Sequence, residues 1–253
     1  MTSITLSAPV NLRDLGGIAV DGGSLRTGLV IRTDDLSLVT ASVAGELYEK
    51  GLRSIIDLRS VEEAQVTGRG PLGELPVAYH HVPLMGSIGE AMDGDTPALT
   101  HETMGRMYVG LVENAASQLV TALNVIAYSP GTTAFHCAAG RDRTGVLAAV
   151  LLLALGADDQ EIVADYALTG PNMPAIQERT QSVIGPIMLK LGFDLEQLNR
   201  GSELEKDGME HSMQMLIATL RETYGDPLTP LRVAGLSPDT VAQLRRRALD
   251  PAA

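Results

Sequence analysis

The stretch His136-Cys137-Ala138-Ala139-Gly140-Arg141-Asp142-Arg143-Thr144-Gly145 gathers a thiol, cations, a carboxylate and a hydroxyl in one short segment. Five residues separate Cys137 from Arg143, a spacing that lets the backbone curl until the N–H groups of Ala138, Ala139, Gly140 and Arg141 converge on one point. Such a nest fits a tetrahedral dianion. Gly140 permits a backbone geometry that a side chain would block. A helix starting near Arg143 adds its positive end, and loop and helix together favour the thiolate form of Cys137, which makes it a nucleophile. Arg143 can fork two hydrogen bonds to equatorial phosphoryl oxygens. Thr144 can donate its hydroxyl to the thiolate and ease its departure when a phosphocysteine is hydrolysed. His136 is expected to orient the loop through hydrogen bonds without transferring protons. A lone cysteine after a buried strand is usually only a small hydrophobe, but His, Gly, Arg and Thr at these offsets turn the reading toward phosphate chemistry.

The elements that must position this loop are legible on both sides of it. Thr132 to Phe135 reads as a buried strand, and Val146 to Leu155 (VLAAVLLLAL) as a buried core helix that ends near Gly156. A Gly-containing loop between two such elements is where α/β folds present backbone N–H groups to anions. Further strands are expected at Leu29 to Arg32, Arg53 to Leu58 and Val77 to Leu84. A helix capped by Thr40 is expected to run to Gly51, and the spacing of Met107, Leu111, Leu119, Leu123 and Ile126 predicts one long helix over Met104 to Ala127. From Asp158 onward the pattern is helical almost throughout, with breaks near Gly170-Pro171, Gly192, Gly201 and Gly225-Asp226-Pro227. Strands first and helices second imply an α/β fold with one sheet and a helical C-terminal half.

Composition excludes several classes. Of 253 residues 45% are hydrophobic and 20% charged, enough apolar surface to offset the ordering entropy of a large core. With 19 Lys+Arg against 31 Asp+Glu, the net charge of −12 repels a polyanion, so nucleic acid is not an expected partner. No run approaches the about 20 apolar residues of a membrane span, and no classical signal peptide is visible. A single cysteine allows no intramolecular disulfide and suits a reducing compartment, so a cytoplasmic location is expected.

The signature resembles that of the cysteine-dependent tyrosine phosphatases, and its form is similar to the PtpB-like bacterial tyrosine and lipid phosphatases, whose pattern reads HCxxGKDRTG. Asn11 to Gly17 (NLRDLGG) resembles the family's NFRDLGG, and Asp57-Leu58-Arg59-Ser60 with Glu63 its DLRS..E. Asp165-Tyr166 falls where its DY follows the core helix, and YGDPLTPLRVAGLSPDTVAQLRRRAL is similar to its closing helix. The likeness spans nearly the whole chain and is weakest over residues 85–130. It implies a protein-tyrosine-phosphatase-like fold with a central, mostly parallel sheet flanked by helices. It also implies one phosphatase domain over 1–253, with a helical lid over about 166–215. By the same resemblance Asp142 is the general acid, against a plainer reading as an arginine partner or helix cap, and Arg13 and Asp14 sit near the phosphate loop as substrate contacts or else as a salt bridge at a buried edge. No metal or other cofactor is expected, since the paired Asp residues lack the spacing of a calcium loop and a single cysteine gives a zinc site no support. The substrate would be a phosphorylated protein or a phosphoinositide, with inorganic phosphate as product or inhibitor. Members of the family are known to leave cells without a signal peptide. One position departs from the pattern. The family's loop lysine, which in its lipid phosphatases helps hold inositol phosphates, is Arg141 here, a planar fork in place of a compact ammonium. Phosphotyrosine is therefore favoured over phosphoinositide.

The remaining candidates are weaker. Asp57, at a strand end beside Arg59, is a possible substrate contact and alternative acid, although an ion pair with Arg59 is the plainer account. Asp93 and Asp95 read as a solvated turn or a second acid loop. His80 and His81 point to opposite faces of a strand and cannot readily share a metal. Arg245 to Arg247 suit a helix C-terminus better than a lipid patch. Met209, Met213 and Met215 are core packing or the underside of a lid. The rival functions are a catalytically weak phosphate-binding module, arsenate reduction with external thiols, and a lipid phosphatase that differs only in its pocket.

Overall fold

In the computed structural model residues 5–85, 100–190 and 208–249 are described. Strands occupy the first part of the chain: β1 Arg13–Asp14, β2 Ala19–Val20, β3 Gly23–Ser24, β4 Val30–Thr33, β5 Leu52–Asp57, β6 Ala78–His81 and β7 Thr132–His136. Helices dominate the rest. They are α1 Ala41–Glu49, α2 Val61–Thr67, α3 His101–Asn114, α4 Ala116–Tyr128, α5 Asp142–Leu155, α6 Asp159–Ala167, α7 Met173–Lys190, α8 Glu210–Tyr224, α9 Thr229–Val233 and α10 Pro238–Ala248. The main sheet has the order β1-β4-β7-β5-β6, with β1 antiparallel to β4 and the other pairs parallel. The separate β2–β3 pair is a small hairpin.

Alternation along the strands gives the sheet two buried faces. Val30, Ile56 and Phe135 join one core with the apolar residues of α3, α4, α5, α8 and α10. Leu52, Ile55 and Ala134 join the other, under α1 and the turn around Leu72. The central helix α5 is buried nearly all round, from Val146 to Leu152, as expected of a helix inside a core. Gly156, at φ +81°, ends it.

Register fixes where the ends of the strands meet. Thr33 of β4 and Asp57 of β5 both pair with His136 of β7, so three adjacent parallel strands end at one level. Residues just beyond these ends face each other across the crevice where open α/β sheets hold their ligands.

Two expectations need correction. The single helix expected over Met104 to Ala127 is two, α3 and α4, bent by 77°. Ala115, at φ −110° and ψ 25°, leaves the helix, and the two halves then pack on different partners, α3 on α8 and α4 on α10. Periodicity could not reveal the break because Leu111, Val112, Ala115, Ala116 and Leu119 are buried on both sides of it. The strand expected over Val77 to Leu84 is only β6, Ala78–His81. Of the breaks expected in the helical half, Gly170–Asn172 is a short 3-10 turn and Gly225 ends α8. Gly192, Gly201, Asp93, Asp95 and the 191–207 part of the expected lid lie outside the described residues.

Candidate active site

Cys137 follows the last residue of β7 and is buried, and its thiol is free. From there the chain loops through Ala138, Ala139, Gly140 and Arg141 into α5. The carbonyls of this loop are held from outside. Ala138 O accepts from Asp35 N at 3.0 Å. Gly140 O accepts from Arg32 Nη2 at 2.9 Å and from Asn11 Nδ2 at 3.1 Å, and Ala139 O from Asn11 Nδ2 at 3.4 Å. In a planar trans peptide the N–H points opposite to the carbonyl, so turning these carbonyls outward turns the N–H groups of Ala139, Gly140 and Arg141 inward. The backbone N–H groups of residues 138–144 have no acceptor among the described residues. At the start of α5 no side chain caps the helix, so its first N–H groups also lack a partner from a cap.

Gly140 carries the curl. Its φ is +67°, and a Cβ there would lie 2.5 Å from Thr33 C and 2.6 Å from Asp34 N. No other residue type fits without moving β4.

Arg143, in the first turn of α5, is aligned by Glu63 of α2. Its Nη1 and Nη2 donate to Glu63 Oε2 at 2.5 Å and Oε1 at 2.9 Å. Glu63 is itself placed by the capping box at the start of α2, where Ser60 N donates to its Oε2 at 2.7 Å. Burial would raise the Glu63 carboxyl, but Arg143 overcomes it and holds it below the usual carboxylate range. A guanidinium has more N–H donors than one carboxylate engages, so Arg143 keeps some for a second anion. Two buried polar atoms of the loop, Arg141 Nη2 and Thr144 Oγ1, have no hydrogen-bond partner among the described residues. Buried donors are rarely left so without reason.

A shell of ion pairs braces the loop. Asp165 of α6 accepts from Arg13 Nε at 2.8 Å and from Arg32 Nη1 at 2.5 Å. Burial opposes ionisation of Asp165, yet Arg32 and Arg13 hold its carboxyl below the ordinary range. Asp34 takes Val10 N, Asn11 N and the Arg179 guanidinium of α7, the last at 2.6 Å. His136 lies between Asp35 and Asp57, its ring nitrogens 3.8 Å from each carboxylate, and its Nδ1 accepts from Leu36 N at 3.4 Å.

The candidates named from sequence therefore fall into groups. Cys137, Ala138, Ala139, Gly140, Arg141, Asp142, Arg143 and Thr144 come together in the loop and its helix, with His136 beneath. Asp142, the first residue of α5, is 28% exposed at its side chain and receives a hydrogen bond from Tyr108. Arg13 braces the loop from behind through Asn11, Asp165 and Thr169. The Asp14 carboxylate accepts from Gly16 N and Gly28 N, each at 2.7 Å, and neither partner belongs to the loop. Asp57 is fully buried and engages Arg59 at 2.5 Å and Tyr79 at 2.7 Å. Against burial, His136 and Arg59 keep it ionised far below the usual range. That is the arrangement of an ion pair, with no proton to donate at neutral pH.

Sequence reasoning did not single out Asn11, Arg32, Asp35, Tyr108 or Thr169. One signal was available: an arginine closing the apolar run LVIR is either paired or misplaced, and Arg32 is paired. The others are visible only once the chain has folded.

A loop of inward N–H groups between a buried strand and a buried helix is the setting in which α/β folds present donors to anions. The chain belongs to the tyrosine phosphatase family, whose model matches residues 4–250, and it is a phosphatase. It is 27% identical over 272 residues to the triple specificity protein phosphatase PtpB of Mycobacterium tuberculosis, which covers 93% of this chain and 95% of that protein. It is 30% identical over 141 residues to a tyrosine-protein phosphatase of Nostoc commune, covering 55% of this chain and 47% of that one. Among solved structures it is similar to P. aeruginosa TpbA in complex with phosphotyrosine, at 15% identity and a TM-score of 0.37, over 75% of this chain and 88% of that one.

Proposed function

We propose that the protein hydrolyses phosphomonoesters, foremost phosphotyrosine in proteins, in two steps through a phosphocysteine. The chain is read as one phosphatase domain. In the first step Cys137 Sγ attacks phosphorus, an S–P bond forms and the ester P–O bond breaks while Asp142 gives its proton to the leaving oxygen. In the second, water attacks phosphorus, Asp142 takes the water's proton and the S–P bond breaks. Inorganic phosphate leaves and the thiolate is restored. The inward N–H groups and Arg143 hold the three equatorial oxygens through both steps, and Thr144 Oγ1 donates to the departing sulfur. Positioning and fixed positive dipoles supply most of the rate in such a loose transition state.

One observation carries this reading. The N–H groups of residues 138–144 have no acceptor among the described residues, and those of Ala139, Gly140 and Arg141 are turned inward by their held carbonyls, beside a free cysteine and an arginine that still has donors. A tetrahedral phosphoryl group fits such a set of donors, and the family is that of tyrosine phosphatases. The triple specificity in the relative's name supports a wider range than phosphotyrosine alone, and Arg141 in place of lysine argues against inositol phosphates as the main substrate.

Cys137→Ser is expected to abolish turnover of p-nitrophenyl phosphate, by at least about a thousandfold, and to retain tungstate binding by calorimetry. EDTA is expected to leave the parent enzyme's rate unchanged. Appreciable turnover by the serine variant would overturn the mechanism. Phosphotyrosine, phosphoserine and phosphoinositide substrates compared on the parent enzyme rank the substrate classes.

A further inference from the structure

Behind the loop, three elements meet in a chain of hydroxyls that the mechanism above does not use. Tyr108 of α3 is fully buried and donates its proton to Asp142 Oδ1 in a short hydrogen bond. Tyr166 of α6, also buried, has its hydroxyl 2.7 Å from that of Tyr108, with the two rings edge to face at 6.0 Å. Arg141 Nε donates to the Tyr166 hydroxyl at 3.2 Å.

The direction of this chain is determined. A phenol carries one proton. Tyr108 spends its proton on the carboxylate, so Tyr166 must donate to Tyr108. Reversal would turn the Tyr166 proton toward a guanidinium, which has no lone pair to accept it. Burial pushes both phenols above their ordinary range, despite Arg141 beside Tyr166, so each remains a donor at working pH. The order Arg141, Tyr166, Tyr108, Asp142 is thus locked at its cationic end.

We infer that Tyr108, oriented by Tyr166, is a positioning residue that selects which oxygen of Asp142 carries the transferable proton. With Oδ1 occupied by the Tyr108 proton, a proton on Oδ1 would face another proton, so the acid form of Asp142 is protonated on Oδ2. This aims the acid at the leaving oxygen and returns the same oxygen to the incoming water. The bond of Tyr108 to Asp142 joins the start of α5 to α3 and, through Tyr166, to α6. The inference rests on the assignment of Asp142 as the acid.

The test compares kcat/KM for phenyl phosphate, a poor leaving group, with that for p-nitrophenyl phosphate, a good one. Tyr108→Phe is expected to lose about tenfold on phenyl phosphate, the worth of one charge-assisted hydrogen bond, and clearly less on p-nitrophenyl phosphate, with tungstate affinity unchanged. Asp142→Asn is expected to lose more, with the same dependence on leaving group, and the double variant to be no slower than Asp142→Asn alone. Equal losses on both substrates from Tyr108→Phe, or a full additional loss in the Asp142→Asn background, would overturn the inference and leave the acid assignment standing. A loss from Asp142→Asn that is the same for both leaving groups would overturn the acid assignment, and the inference with it. If Tyr108→Phe does not fold, Tyr166→Phe decides the question: it retains the Tyr108 bond but frees its direction, and is expected to give a smaller loss with the same leaving-group dependence. A rate unchanged on both substrates overturns the inference.

Discussion

Gly140 is the residue on which the loop's shape depends most directly. Its positive φ and its contact with the Thr33–Asp34 backbone leave no room for a β-carbon. Gly140→Ala is therefore expected to cost about 1–3 kcal/mol of stability for the strained backbone, read as a lower urea midpoint. It is also expected to cost activity out of proportion, since any relief of the clash moves the N–H groups. An alanine variant with parental kcat/KM would show that the curl is dispensable. The Arg143–Glu63 pair makes a related point. Arginine in the loop suggests phosphate recognition from type alone, but its aim depends on a carboxylate eighty positions earlier in the chain, at the start of another helix. Lysine could not be held by two parallel bonds in this way.

At the scale of elements, Asp165 ties α6 to two strands at once. It takes Arg13 from β1 and Arg32 from β4, and Arg32 in turn holds Gly140 O. Asp165→Ala would leave the fully buried Arg32 without its carboxylate, and removing one partner of a buried pair typically costs about 3–5 kcal/mol. A loss of that order is expected in denaturant titration, together with a weakened loop. A change below about 1 kcal/mol, the range of surface pairs, would show that this contact does not brace the site. The basic run at the end of α10 also acts between elements. Arg245 Nε donates to Ala154 O near the end of α5 at 3.1 Å, and Arg247 donates to Ile126 O near the end of α4. Arg245 and Arg247 thus donate to carbonyls near the C-terminal ends of two neighbouring helices, whereas the expectation from sequence sets them against the dipole of their own helix.

For the molecule as a whole, the buried carboxylates set the response to acid. Despite burial, arginine partners and His136 hold Asp57, Glu63 and Asp165 below their ordinary values of 3.8, 4.5 and 3.8. The unfolded chain therefore binds more protons than the folded one wherever pH is below those ordinary values and above the folded ones. Stability from these groups is complete above about 4.5 and falls as pH drops through that window. The urea midpoint is expected to be similar at pH 6 and pH 7 and to decline steadily from pH 4.5 to pH 3. A midpoint that does not move over that last interval would mean that the pairs add nothing to folding. Among the described residues no single helix is long and apolar enough to cross a membrane, and the chain carries a net charge of −12.

Much of the fold and the reactive segment could be read from the chain because local sequence dictates them. The apolar runs of β7 and α5, the glycine at the turn and the cysteine-to-arginine spacing are properties of neighbours in sequence, and they already imply a curled loop at a helix start. The break at Ala115 was hidden because both halves of that segment bury the same kind of side chain. The partners of the loop were hidden for a different reason. Glu63, Arg32, Asp165, Tyr108 and Tyr166 are scattered over four elements, and their types say only that each needs a partner if buried. Which partner each finds depends on register and helix packing. Composition and spacing thus determined that a curled loop carries a cysteine and an arginine into the start of a buried helix; the tertiary structure decided how that loop is braced, where Arg143 points and which groups surround Asp142, because hydrogen bonds and ion pairs form between neighbours in space.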